Sequence, residues 1–317
     1  MLDVRELLSA PDLSDRLILL GFRDDDRADT LAAVASVLGR PDLLTVVQGM
    51  ADQLVLGVGQ FRGLDEDSLP NPWPDDGGES PGRKGSPYGA GVLELLALLA
   101  CVDDVRAFHT SRGIAADDSW RALSDFGQQV FVHRLTFGSF GIHTHGWLRI
   151  AWSGASYWLG RLQFNLWPSD RSSTGWVLST HIPQSGPLAP EEVDASFDWA
   201  RRFFARHFDE YPADAFVCSS WLLDPELGRM LPESSNMVRF QRRWELEGEP
   251  TTGDDDAIFF TFHRRPPVDL DALPRDTTLQ RAIIDRIRAG EHWQVWGGRI
   301  LFADSPLPLR NGADHDD

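Results

Sequence analysis

A histidine at the end of a predicted strand, followed by a turn rich in proline and glycine, is the part of this sequence best suited to chemistry. Residues 180–194 read THIPQSGPLAPEEVD and connect a predicted strand at 175–183 to a helix that begins near Pro190. A histidine titrates near neutral pH and can act as a general base without adjustment. A helix N-terminus presents unpaired backbone N–H groups and the positive end of the helix dipole, which suit an anion. His181 and the turn after it therefore predict a base beside an anion-binding turn, or else only a corner of the chain.

Three residues of the same segment oppose a strong phosphate site. Pro187 has no N–H to donate, and Glu191 and Glu192 place negative charge in the first turn of the helix. The sequence therefore leaves open whether this turn binds a diphosphate.

A row of polar side chains follows the strand predicted at 157–167. With strict alternation, one face of that strand carries Tyr157, Arg161, Gln163 and Asn165, and the other face is largely apolar. Such a row suits a cleft for a polar substrate, and it equally suits a solvated sheet surface.

Two further histidines indicate a different chemistry. His143 and His145 are two residues apart, so on a strand their side chains would point the same way and could share a metal ion. No carboxylate stands beside them in the sequence to complete a ligand set. A metal enzyme is therefore the weaker hypothesis.

The hydrophobic pattern predicts a helical N-terminal part followed by a sheet. Apolar residues recur with the helical period through residues 1–60 and again up to about 140, and the Pro-, Gly- and Asp-rich segment 62–90 predicts a long flexible loop. Strands are predicted at 147–152, 157–167, 175–183, 215–223, 237–246, 257–263 and around 292–296, and helices at 190–208, 225–231 and 276–290. A strand, crossover helix and strand imply one parallel pair in an otherwise antiparallel sheet. The prediction is an α+β fold with domains at 1–140 and 141–317.

The charge balance disfavours some classes of partner. The chain of 317 residues has 48 acidic and 30 basic side chains, for a formal net charge of −18. Such a surface repels nucleic-acid phosphates and anionic lipids, so we expect neither a nucleic-acid nor a membrane role. No apolar run approaches the roughly 18–20 residues of a membrane span, and we expect a cytoplasmic protein. Cys101 and Cys218 are far apart in the sequence and are predicted to be small buried hydrophobic residues.

The order of predicted elements and several segments carry a family resemblance. The segments are LGRLQF at 159–164, the run from His181 to Phe208, the run from Phe216 to Leu246, and LPRDTTLQRAI at 273–283. They resemble bacterial acyltransferase-domain proteins that pair a helical N-acyltransferase N-terminal domain with a GNAT-like C-terminal domain. The resemblance implies a mixed, mostly antiparallel sheet with one parallel βαβ unit.

The same resemblance implies an acyl donor and its site. The donor would be acyl-CoA or a related pantetheine thioester, used as a co-substrate and held where the two parallel strands separate. The residues of the turn that would hold it are Ile182, Gln184, Ser185, Gly186 and Leu188. His181 would be the base, and Ser220 or Cys218 would assist the leaving thiolate.

The acceptor implied by the resemblance is an amine of a small molecule, with a carrier protein as an alternative source of the acyl group. The residues expected to shape the acceptor pocket are Trp147, Tyr157, Arg161, Gln163, Asn165, Trp221 and Asn236. A second hypothesis is a non-catalytic binding module of the same fold, for a small polar ligand or a partner protein. The metal enzyme at His143 and His145 is the third.

Overall fold

The computed structural model describes residues 3–61 and 91–302. The flexible loop predicted at 62–90 lies outside the described residues. No single helix of the described ranges is long and apolar enough to cross a membrane; α3 and α4, bounded below, pass that test only as a pair, bent by 113°.

The chain begins with a bundle of helices. Their bounds are α1 Val4–Leu8, α2 Leu13–Leu19, α3 Asp24–Leu38, α4 Pro41–Leu56, α5 Val92–Ala100, α6 Val102–Ser111, α7 Ala116–Leu123, α8 Asp125–Phe137 and α9 His145–Trp152. Helix α5, VLELLALLA, is apolar around nearly its whole circumference, and such a helix is stable only when other elements surround it. It accordingly lies at the centre of the first hydrophobic core, to which α4, α8 and α9 contribute.

A six-stranded mixed sheet follows, with the strand order β1-β2-β3-β4-β6-β5. The strands are β1 Ser156–Leu159, β2 Leu162–Pro168, β3 Trp176–His181, β4 Ala213–Ser220, β5 Glu245–Thr252 and β6 Gln294–Leu301. The helices between them are α10 Pro190–His207, α11 Leu227–Met230, α12 Asn236–Gln241, α13 Asp254–Phe262 and α14 Thr278–Arg288. Strands β3 and β4 pair in parallel across α10, and the other pairs are antiparallel. The predicted α+β fold with one parallel βαβ unit is confirmed.

Helix α10 covers one face of this sheet. Its residues Val193, Phe197, Ala200 and Phe204 are buried on one stripe, as the sequence predicted. Phe197 lies 4.6 Å from the ring of Phe216 on β4. Helices α13 and α14 form a separate buried cluster with the residues that follow β4.

Three predicted strands are helices over much or all of their length. Residues 147–152 belong to α9, residues 257–263 belong largely to α13, and residues 237–246 hold α12 before β5 begins. Short apolar runs do not distinguish helix from strand by period alone. In α13 the three aspartates at 254–256 occupy the first turn, where negative charge stabilises a helix, and this outweighs the strand propensity of the phenylalanines after them.

The strand predicted at 157–167 is a hairpin. Leu159 pairs with Leu162, so Gly160 and Arg161 form a two-residue turn between β1 and β2. Gly160 has a φ of +74°, a left-handed conformation that glycine adopts without strain. Because the chain reverses there, the prediction that Tyr157 and Arg161 share a face with Gln163 is wrong.

The junction between the helical part and the sheet lies close to α9. The apolar residues Leu148, Ala151 and Trp152 of α9 pack in the first core, and β1 begins at Ser156. The predicted domain boundary at 140 stays a prediction. Both cysteines, Cys101 and Cys218, are buried as expected.

Gly127 tests how tightly α8 is held in the helical part. A Cβ at this position would lie 2.1 Å from the carbonyl carbon of Gly21 and 2.3 Å from the backbone nitrogen of Phe22. We expect Gly127→Ala to lower the free energy of unfolding by about 1–3 kcal/mol or more, because backbone has to move. Gly49→Ala is the control, because position 49 of α4 is exposed and a Cβ there has no atom within 4 Å. We expect this substitution to raise the free energy of unfolding by roughly 0.5–1 kcal/mol. Equal unfolding midpoints in denaturant for the two variants would contradict this packing.

Candidate functional site

Strands β3 and β4 separate before either one ends. Their parallel pairing ends at Ser179 and Val217. Strand β3 nevertheless stays paired with β2 as far as His181, and β4 stays paired with β6 as far as Ser220. Beyond the last pair, the facing edges of β3 and β4 have backbone N–H and C=O groups that another molecule can pair with. We call this opening between β3 and β4 the strand gap.

His181 stands at the strand gap in a defined tautomer. Its Nε2 lies 2.6 Å from Oδ1 of Asn165 on β2, while Nδ2 of Asn165 donates to the carbonyl oxygen of Leu166 at 2.8 Å. The amide oxygen of Asn165 must therefore accept, so Nε2 of His181 carries the proton. Nδ1 has no hydrogen-bond partner among the described residues, and its lone pair is available to take a proton.

The surroundings of His181 keep it neutral. Burial lowers the pKa of the imidazole to about 4. The residue as a whole is nevertheless partly exposed. Trp147 of α9 packs edge-to-face on this ring, with 4.4 Å between the ring centroids. The predicted general base is thus unprotonated throughout the physiological range.

A buried carboxylate from the helical part holds Trp147. Oδ2 of Asp125, at the start of α8, accepts from Nε1 of Trp147 at 2.9 Å. Gln129 donates to the same carboxylate at 3.2 Å, and Gln163 of β2 is a further donor. Burial raises the pKa of Asp125, which is 4% exposed, against the effect of these donors. Asp125 of α8 therefore connects to α9 and β2 beside Trp147, the residue that packs on His181.

The turn after β3 is built around an arginine. Arg161, at the tip of the β1–β2 hairpin, donates from Nη1 to the carbonyl oxygen of Pro183 at 2.9 Å. It also donates from Nη2 to Gly186 at 2.7 Å and from Nε to Pro187 at 2.9 Å. Arg161 was expected to line an acceptor pocket, but its guanidinium fills the inner side of the turn instead.

The other predicted donor-binding residues lie around that turn. Gln184, Ser185 and Gly186 are exposed, Ile182 is half-buried, and Leu188 is buried against the core below α10. Nε2 of Gln184 donates to the carbonyl oxygen of Phe260 at 2.6 Å, which connects the turn to α13. Among the described residues, no side chain caps the N-terminus of α10, so its first N–H groups have no side-chain partner there. Glu191 and Glu192 are exposed beside them.

The two residues expected to assist the leaving group have other surroundings. Cys218 points to the α10 face of the sheet, opposite to His181, and burial raises its pKa to about 12. The hydroxyl of Ser220 accepts from the backbone N–H of Leu222 and caps the short helical turn there. Ser219, which the sequence did not single out, is exposed on the same face as His181.

Three residues expected in the acceptor pocket lie elsewhere. Tyr157 is buried against Phe203 of α10 at 4.6 Å and donates to the carbonyl oxygen of Gly154. Trp221 is buried in the cluster of α13 and α14, beside Trp293. Asn236 begins α12, which packs beside α10.

The premise of the metal hypothesis is wrong, because His143 and His145 are not on a strand. His143 precedes α9 and its Nδ1 lies 3.2 Å from Nδ1 of His133, whereas His145 is the first residue of α9. Burial lowers the pKa of His133 to about 4 and that of His143 to about 3. Over the part of the chain that the structure describes, no group of three or more His, Cys, Asp or Glu side chains could hold a metal ion.

A cleft of about 520 Å³ lies away from His181, between the end of β4 and α14. It is lined by Asp224, Pro225, Glu226, Arg229, Arg286, Glu291, His292, Gln294 and Trp296. Its carboxylates and guanidinium groups pair with each other, as Arg286 does with Glu226 and Glu291. The charged side chains of Arg286, Glu226 and Glu291 in the cleft therefore neutralise each other.

Two family models match the chain in adjoining ranges. One, the N-acyltransferase N-terminal domain, matches residues 11–154, and the other, the GNAT-like C-terminal domain, matches residues 156–300. Among curated proteins, none matches the chain.

Solved structures of acyltransferases resemble the chain over most of its length. An acyltransferase in complex with decanoyl-CoA is 32% identical with a TM-score of 0.81, and the match covers 92% of this chain and 88% of that chain. An acyltransferase in complex with decanoyl-CoA and teicoplanin is 31% identical with a TM-score of 0.79, over 94% of this chain and 88% of that chain. A mutant acyltransferase in complex with octanoyl-CoA is 30% identical with a TM-score of 0.79, over 92% and 88%. The chain belongs to the acyltransferases that join an N-acyltransferase N-terminal domain to a GNAT-like C-terminal domain.

Proposed function

We propose that this acyltransferase moves an acyl group from acyl-CoA, or a related pantetheine thioester, to an amine of a small molecule. The observation that carries the proposal is the neutral His181, which follows the last β3–β4 pair and has no hydrogen bond to its Nδ1 among the described residues. The thioester would enter between β3 and β4. The turn at 183–188 would bind the opposite end of the donor, which in CoA carries the diphosphate.

The similar solved structures support both substrates. Their complexes contain decanoyl-CoA or octanoyl-CoA, and one contains teicoplanin as well. A medium-chain acyl thioester as donor and a small-molecule acceptor are consistent with these complexes. The acidic surface of this chain, with a net charge of −18, also suits an amine acceptor, which approaches as a cation.

The proposed reaction is direct attack on the thioester. The acceptor amine first loses one proton to solvent, and the neutral amine then forms a bond to the carbonyl carbon of the thioester. Nδ1 of His181 takes the second proton that the nitrogen loses, either directly or through one water. The C–S bond then breaks, the amide forms, and the proton leaves His181 for the thiolate or for solvent. An unpaired backbone N–H at the strand gap would donate to the carbonyl oxygen as its negative charge develops.

Trp147 and Asn165 would act by positioning. Asn165 holds the proton on Nε2, so that the basic lone pair is on Nδ1. The edge of Trp147 limits rotation of the imidazole ring and excludes water from one side of it. Loss of either contact would lower turnover without removing the base itself.

A non-catalytic binding module remains the second candidate, because one observation favours it. Pro187 lacks an N–H, and Glu191 and Glu192 stand exposed next to the proposed diphosphate position. A screen of the full chain with acetyl-CoA, decanoyl-CoA and decanoyl-pantetheine separates the two candidates, since a ligand that binds only the native state raises the melting temperature. Stabilisation by the pantetheine thioester alone would indicate a carrier-protein donor, and no stabilisation by any thioester would favour the binding module.

Replacing His181 tests the base. We expect His181→Gln to lower kcat by about 10²–10⁴-fold with little change in the Kd of acyl-CoA, because general-base catalysis contributes on this order. His292→Gln is the matched control, since His292 is exposed and hydrogen-bonded to Asp254. Rates are to be followed by release of free thiol, and unfolding of each variant by circular dichroism. Equal turnover in the two variants would exclude His181 as the base.

The pKa of His181 predicts where kcat/KM falls as the pH is lowered. Because the pKa of His181 is about 4, below the ordinary value of 6.5, the base stays active well below pH 6.5. The acid limb due to His181 should lie near pH 4 after correction for ionisation of the acceptor amine. The same shift predicts that the free energy of unfolding falls as pH drops from 6.5 towards 4, because the unfolded chain then binds a proton that the native state does not. An acid limb at or above 6.5 in the wild type would contradict the neutral, buried imidazole.

Asn165→Asp should move that acid limb upwards. A carboxylate in contact with Nε2 favours the protonated imidazole and should raise the pKa of His181 by about one unit or more. Profiles of kcat/KM against pH for the wild type and the variant make the comparison. An unchanged profile would mean that Asn165 does not bond the catalytic imidazole.

A further inference from the structure

We propose that Arg161 is a positioning residue that holds the turn at 183–188 in the conformation that binds the diphosphate of the acyl donor. The inference rests on the proposed function, because it concerns how the chain recognises CoA. Arg161 does not touch the donor in this proposal: it acts through the backbone of the turn.

All the hydrogen bonds that the guanidinium of Arg161 makes with the described residues go to this turn. Three of its N–H groups reach the carbonyl oxygens of Pro183, Gly186 and Pro187 at 2.7–2.9 Å, and the residue is only 9% exposed. Five N–H donors in a rigid planar fork can hold carbonyls in three directions at once, which an ammonium on a flexible chain does less well. The turn therefore wraps around a fixed cation.

The direction of the carbonyl groups bonded to Arg161 fixes the direction of the N–H groups that follow them in the turn. In a trans peptide the C=O and the next N–H point in opposite directions. Since the carbonyls of Pro183 and Pro187 point at Arg161, the N–H groups of Gln184 and Leu188 point away from it. These are donors of the kind that a diphosphate needs, next to the uncapped N-terminus of α10.

Arg161 is itself anchored to α10. Its backbone N–H donates to Oγ of Ser196 at 2.7 Å, and that hydroxyl donates to the carbonyl oxygen of Glu192 at 2.7 Å. A Cβ at Gly160 would lie 2.5 Å from Oγ of Ser196, so the hairpin tip reaches α10 this closely only with glycine there. The tip of the β1–β2 hairpin, the turn and the start of α10 thus form one unit.

The positive charge of Arg161 also offsets part of the negative charge in the first turn of α10. Burial lowers the pKa of the guanidinium, and the nearby carboxylate of Glu192 opposes that shift. With Arg161 on the inner side of the turn, the field that Glu191 and Glu192 direct against a diphosphate is partly offset. Arg161 thus offsets the acidic pair, one of the two features that weaken the turn in the sequence; the other is the missing N–H of Pro187.

The test compares Arg161→Lys with Arg121→Lys. Arg121 is the matched control because it donates to the carbonyl oxygen of Gly160 at 2.9 Å in the same hairpin but does not bond the turn. We expect Arg161→Lys to raise the Kd of CoA by about tenfold in calorimetry, as the loss of charge-assisted hydrogen bonds predicts, and Arg121→Lys to leave it unchanged. With decanoyl-pantetheine, which has no diphosphate, kcat/KM of Arg161→Lys should stay close to the wild-type value.

Hydrogen exchange supplies a readout that does not depend on activity. Amides of residues 182–189 should exchange faster in Arg161→Lys than in Arg121→Lys, while the rest of the sheet stays protected. Equal CoA affinity in the two variants, or an equal loss with decanoyl-pantetheine and with the CoA thioester, would overturn the inference while leaving the proposed function intact. A wild-type chain that binds decanoyl-pantetheine but not CoA would overturn the inference alone, and one that binds neither would overturn both.

Discussion

The early separation of β3 and β4 is the constraint on which the site depends. Two parallel strands that stay paired to their ends leave no free backbone between them, whereas here the pairing stops at Ser179 and Val217. The outer partners of both strands prevent collapse, because β2 holds β3 to His181 and β6 holds β4 to Ser220. The gap is therefore an opening with rigid sides, and His181 stands at its edge.

The helical part also contacts His181. Trp147 reaches His181 from α9, and the buried Asp125 of α8 fixes Trp147 while it also accepts from Gln163 on β2. A carboxylate without hydrogen-bond donors would be costly in such a place, so its partners are a condition for its burial. The imidazole is thus held between two parts of the chain, and burial in this junction lowers its pKa.

The sequence was most informative where one local pattern dominates. The apolar stripe of α10 and the strand before it predict the parallel βαβ unit correctly, and the place of His181 at the end of that strand makes it the candidate base. Asp125 does not follow from the apolar stripe of α8, although a carboxylate beside that stripe is a usable signal. The alternation rule places Arg161 on the wrong face because residues 160–161 are a two-residue turn and not continuous strand. The aspartates in the first turn of α13 likewise carry a helix signal that the run of phenylalanines obscures.

The proposed chemistry requires His181 to be a neutral imidazole with its proton on Nε2 and a free Nδ1. Nitrogen-15 NMR of histidine-labelled protein measures this directly, with the signals of His181 assigned by their loss in His181→Gln. We expect a protonated Nε2 and an unprotonated Nδ1 that persist from pH 7 down to about 5, since the pKa of the group is about 4. A proton on Nδ1 at neutral pH, or titration of His181 at 6.5 or above, would contradict it.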